Sequence, residues 1–179
     1  MAMKMLEAGG VPVLIDGIRT ADHSNPKGYY EFEPVKELDK GGRLAWLPEA
    51  RGKAVKIISF LLTYLPETYD YRVVFMERDL DEVIASQDKM LISRGEERHA
   101  NGADGMKQAY ATHLKKVDRF LASRRCFATL RLQYRAVVDH PSEEARRLNQ
   151  FLGGRLDIPR MAQVADRELY RNRKAAPPA

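Results

Sequence analysis

Apolar residues recur along the chain in two rhythms. Runs of consecutive apolar residues at 11–15, 53–59, 71–77 and 127–132 predict strands, and between them apolar positions three and four apart predict helices. The 71–77 run is the strongest: Tyr71, Val73, Val74 and Phe75 are strand formers, and the run is almost unbroken in apolar character. That is the pattern of a strand buried on both faces of a parallel sheet. Helices are predicted over 1–8, from Pro34 to Asp39, after Asp79, over 106–121, from Pro141 to Leu152 and over 158–164. Leu80, Val83, Ile84 and Leu91 fall on one face of the helix after Asp79, and Met106, Tyr110, Leu114, Val117 and Leu121 on one face of the next. Asp79 can cap its helix, with Asp81 and Glu82 in the first turn where carboxylates suit the dipole. Gly9-Gly10 and Gly153-Gly154 follow two of the helices as stops.

Strands alternating with helices predict an α/β fold: a parallel sheet flanked by helices in three layers. The expected organisation is one domain over 1–174 and a disordered tail over 175–179. Ligands of such sheets sit beyond the carboxyl ends of the strands. This directs attention to the residues after Ile15, after Met76 and after Leu132. Two polar stretches, 16–31 and 93–104, are long for connections in a compact domain, and such loops are often functional.

Composition narrows the classes. Hydrophobic residues make up 44% and charged residues 31% of 179, enough apolar material for a folded core. No apolar run approaches the roughly 18 residues of a membrane span, and the first residues lack the basic-then-apolar pattern of a secretory leader. Cys126 is the single cysteine, which excludes an internal disulfide and fits a reducing, cytoplasmic setting. The formal charge is +5, with basic residues thickening from Lys115 onward and again at Arg171, Arg173 and Lys174. This is either a solvated helix face with a basic tail, or attraction for a phosphorylated ligand; charge alone leaves both open. Nucleic-acid surfaces interleave aromatics with a basic stripe, which this chain lacks, so no nucleic-acid partner is expected. His23, His99, His113 and His140 are scattered without ligand spacing, so no metal site is expected.

The chemistry concentrates where the best strand ends. Arg78 leaves that strand and Ser86 lies eight positions on, along the following helix. A guanidinium fork and a hydroxyl converging on one spot make a phosphate cradle. The alternative is an Arg78 paired with Asp81 or Glu82 and a Ser86 on the helix surface.

Four segments in order carry a family resemblance: Asn25-Pro26-Lys27-Gly28-Tyr29-Tyr30-Glu31, the Arg78-to-Ser86 element, 132–141 beginning Leu132-Gln133-Tyr134-Arg135, and the helix closing in Phe151-Leu152-Gly153. Together they resemble a bacterial sulfotransferase domain. The resemblance implies the P-loop NTPase-like sulfotransferase fold and transfer of a sulfuryl group from 3′-phosphoadenosine-5′-phosphosulfate to a hydroxyl or amine of a small molecule or glycan, without a metal. It implies that Arg78 and Ser86 grip the 3′-phosphate, that Tyr134 lies by the adenine, and that Lys56 stabilises charge on the bridging oxygen. Arg173 and Lys174 stand where many members place a cluster against the 3′-phosphate, either in that role or as a basic tail. The family's histidine after the lysine is missing: Ile57, Ile58 and Ser59 follow Lys56. Asp16, His23 and Glu31 are the candidate replacement bases, with Asp16 favoured as base or as a turn cap.

Members open with a strand and a glycine-rich phosphate loop, and residues 1–10 resemble the helix after it. No Gly-x4-Gly-Lys-[Ser/Thr] occurs in the chain. The expectation is an inactive, truncated reading of a longer enzyme, or a non-catalytic remnant that binds nucleotide or serves as an interaction module. A missing central strand would also favour a homo-oligomer.

Overall fold

The computed structural model describes residues 1–19, 28–41, 44–93 and 102–165. Two strands, β1 (Tyr71–Glu77) and β2 (Phe127–Gln133), pair in parallel and in register from Tyr71↔Phe127 to Glu77↔Gln133. Among the described residues six α-helices surround them: α1 (Ala2–Ala8), α2 (Leu80–Ser93), α3 (Gly102–Ser123), α4 (Tyr134–Asp139), α5 (Pro141–Phe151) and α6 (Ile158–Gln163). Shorter 3-10 helices cover Glu33–Lys40, Leu44–Trp46 and Ser59–Tyr64. The result is a small parallel sheet flanked by helices, the α/β class the pattern predicts.

The sheet separates two cores because successive side chains of a strand point to opposite faces. Tyr71, Val73 and Phe75 pack on a cluster that holds Val35, Leu38, Trp46 and Leu61, with Val117 and Leu121 of α3. Val74 and Met76 pack on the other, built from Met5 and Leu6 of α1, Leu132, Val137, Ala145, Leu148 and Met161. The near-continuous apolar run of β1 is thus explained: odd positions serve one core and even positions the other. In the second cluster α1 ends against α6. A Cβ on Gly9 would come within 2.8 Å of Met161, itself fully buried, so a glycine lets the two helices meet.

Several expectations are corrected in detail. The runs at 11–15 and 53–59 form one parallel bridge, Val13↔Ala54, held by Leu14 N–H to Ala54 O and Ala54 N–H to Pro12 O. Pro12 has no N–H to extend the ladder, and Gly17 and Gly52, at φ 70° and 72°, turn the chain nearby. Residues 59–64 leave the extended path altogether and wind into the 3-10 helix Ser59–Tyr64. Residues 134–139, for which the pattern predicts no helix, form α4. The helix predicted over 106–121 reaches back to Gly102. The expected tail at 175–179 lies outside the described residues, as does most of the 93–104 stretch.

An open cleft of about 1940 Å³ runs beside the sheet. All seven residues of β1 line it, with residues 50–57 across from them and Ala2, Met3, Lys4 and Leu6 of α1 contributing. Among the described residues, β1 pairs only with β2.

Leu132 is fully buried under the sheet with Leu148 and Met161. Leu132→Ala is expected to destabilise the protein by about 2–5 kcal/mol, read as a lower midpoint in chemical denaturation. A loss under about 1 kcal/mol would mean that this cluster does not hold the sheet.

Candidate functional site

Both strands end at the same level, because Glu77 pairs with Gln133 at the last rung. Arg78 and Tyr134 leave those strands side by side, and the Arg78 guanidinium carbon lies 5.1 Å from the centre of the Tyr134 ring. That is within cation–π range. On its other side Arg78 donates from Nε to Glu82 at 3.0 Å; Glu82 is 4% exposed. A carboxylate so buried requires a charged partner, and Glu82 in turn orients the guanidinium. The Arg78 pairing left open by the sequence is therefore made, with Glu82, while Arg78 still lines the cleft.

The helix that carries the other half of the candidate cradle starts as its sequence predicts. Asp79 accepts the Asp81 N–H at Oδ1, 2.8 Å, and its carbonyl accepts Val83 N–H at 3.0 Å. Ser86, on α2, is part-exposed and lines the same cleft. Lys56 lines it too; its Nζ donates to the Tyr29 carbonyl at 3.0 Å and lies 3.6 Å from Glu31. One cleft therefore holds Lys56, Arg78, Ser86 and Tyr134. Arg173, Lys174 and His23 lie outside the described residues.

Asp16 is not among the cleft-lining residues. Its carboxylate accepts the backbone N–H of Glu33 and, at 3.0 Å, that of Ile18. Those two donors hold its carboxyl below the usual carboxylate range, Glu33 contributing most. Hydrogen bonding that favours the charged form makes a poorer base and a good anchor for the start of the 16–31 loop. Glu31 is paired with Arg19 at 2.9 Å and with Lys36 at 3.6 Å, and the Arg19 guanidinium sits 3.4 Å over the Tyr29 ring. Tyr30, in the left-handed region at φ 53°, donates its hydroxyl to Glu7 of α1. Burial, with the Glu7 carboxylate beside it, pushes the Tyr30 hydroxyl up to about 12.

One pair escaped the sequence. Ser59 Oγ and His113 Nε2 lie 2.8 Å apart, both part-buried and both on the cleft wall. They are 54 residues apart in the chain, and nothing in spacing or periodicity joins them. Among the described residues, no three or more His, Cys, Asp or Glu side chains gather as metal ligands. No helix there is long and apolar enough to cross a membrane.

Arg78 and Tyr134 thus stand at the carboxyl ends of a parallel α/β sheet, the edge where sheets of this class place their ligands. The model of the Sulfotransferase family matches residues 34–157, well over half of the chain, and the chain belongs to that family. No curated protein and no solved structure matches the chain significantly.

The Asp16 geometry sets a pH dependence. A carboxyl with a depressed folded pKa stabilises the fold above its unfolded value of 3.8, and that stability is lost as pH falls through the lower folded value. Asp16→Ala is therefore expected to cost stability at about pH 7 and progressively less as pH falls below 3.8, followed by urea titration. A cost that does not shrink on acidification would show that the Asp16 charge is not what anchors the loop.

Proposed function

We propose that this family member is built to transfer a sulfuryl group from 3′-phosphoadenosine-5′-phosphosulfate to a hydroxyl or amine acceptor. The observation that carries the reading is the juxtaposition of Arg78 and Tyr134 at the paired ends of β1 and β2, with Ser86 in the same cleft. In this reading Arg78 and Ser86 hold the 3′-phosphate, since a guanidinium offers several N–H donors in a fixed plane and Glu82 sets that plane. Tyr134 borders the adenine. Lys56, which lines the same cleft, neutralises charge that builds on the bridging oxygen as its bond to sulfur breaks. Arg173 and Lys174 add a second hold on the 3′-phosphate. Asp16 is assigned to anchoring the loop instead of taking the acceptor's proton, because its carboxyl is already engaged by two backbone donors.

Binding the 5′-phosphosulfate calls for a loop of backbone N–H groups at a helix N-terminus. These 179 residues contain no Gly-x4-Gly-Lys-[Ser/Thr], and we assign them no turnover on their own. The same observation favours a second reading, a nucleotide-binding module of this family without catalysis.

Isothermal calorimetry with adenosine 3′,5′-bisphosphate tests the site. Arg78→Ala is expected to weaken binding roughly tenfold to a hundredfold, the worth of a hydrogen bond to a charged group. Unchanged affinity in that variant would remove Arg78, and with it this placement of the 3′-phosphate. The two readings part on turnover by the protein as isolated from its source: sulfation supports the enzyme, and tight binding without it supports the module.

A further inference from the structure

The cleft contains a serine–histidine pair that the donor-binding residues do not use. Ser59 Oγ lies 2.8 Å from His113 Nε2, and Ser59 follows Lys56 by three residues, both lining the cleft. His113 projects from α3 toward the 3-10 helix Ser59–Tyr64, and its ring centre is 6.4 Å from that of Phe60. The residues flanking Ser59 are unusual for their exposure: Ile58 is 60%, Phe60 51% and Tyr64 42% exposed. Phe60 and Tyr64 lie 6.0 Å apart, centre to centre, and form one tilted aromatic surface. These side chains are not among the cleft-lining residues but flank Ser59 at its edge, where exposed apolar groups beside a polar pair offer a seat for an apolar ligand.

We propose that Ser59 and His113 deprotonate the acceptor, and that the acceptor is an alcohol or phenol with an apolar body seated on Ile58, Phe60 and Tyr64. This rests on the sulfuryl-transfer reading above and adds its missing base and its acceptor class. The acceptor hydroxyl meets Ser59 Oγ. Its proton passes to Ser59 as the Ser59 proton passes to His113 Nε2. The acceptor oxygen forms a bond to sulfur. The bond between sulfur and the bridging phosphate oxygen breaks, and its electron pair leaves on adenosine 3′,5′-bisphosphate, with Lys56 facing that charge. His113 then carries the proton and returns it to solvent.

The serine–histidine bond also ties the 3-10 helix to α3, so the experiment separates chemistry from scaffolding. In the protein as isolated from its source, 2-naphthol sulfation and adenosine 3′,5′-bisphosphate affinity are measured for wild type, His113→Gln, His113→Ala and Ser59→Ala. His113→Gln keeps a hydrogen-bonding partner for Ser59 but no base. The expected result is a loss of roughly a hundredfold or more in turnover in all three variants. Nucleotide affinity should stay within about twofold, and free imidazole should restore part of the His113→Ala loss. Turnover of His113→Gln within about threefold of wild type would overturn the base assignment. Sulfation of a sugar but not of 2-naphthol by the wild type would overturn the acceptor class. Wild-type protein that binds the nucleotide but sulfates neither acceptor would overturn both parts. No nucleotide binding at all would instead sink the underlying sulfuryl-transfer reading.

Discussion

The structure depends on a single strand being apolar on both sides. β1 has Tyr71, Val73 and Phe75 in one core and Val74 and Met76 in the other, so each core is completed only when this strand is in place. Shifting a strand by one residue exchanges its two faces. Here that would exchange the side chains that serve the two cores, and the register with β2 is specified accordingly. Everything chemical lies downstream of that register. The ends of β1 and β2 coincide, so a cation and an aromatic ring emerge next to each other and the following helices begin at the edge of one cleft.

The elements with strong patterns were legible from the chain alone. β1, β2, α3 and α5 follow from apolar runs and helical periodicity. The start of α2 follows from Asp79, whose side chain accepts the Asp81 N–H. The segments at 11–15 and 53–59 were misread because a strand exists only through its partner. One bridge, Val13↔Ala54, is all they make, with Pro12 lacking a donor. α4 was not foreseen because its six residues are too few to carry a periodicity.

The candidate site divides the same way. Arg78 and Ser86 were singled out by the strand-to-helix pattern, and Tyr134 and Lys56 by the family resemblance; all four line one cleft. For Asp16 the sequence left base or turn cap open, and the Ile18 N–H on its carboxylate is the cap; the second donor, Glu33, 17 positions away, could not be foreseen. Nor could the Ser59–His113 pair, which exists only because α3 folds back over the 3-10 helix.

The matched strand ends have a further consequence for how such a protein can vary. Arg78 and Tyr134 are fixed relative to each other by seven rungs of hydrogen-bonded backbone. The chain that joins them passes through α2 and α3, and its length does not enter the spacing of the two strand ends. Substitutions on α3 around His113 can therefore reshape that side of the cleft while Arg78, Glu82 and Tyr134 keep their places. One half of the cleft is free to diversify while the other stays constant.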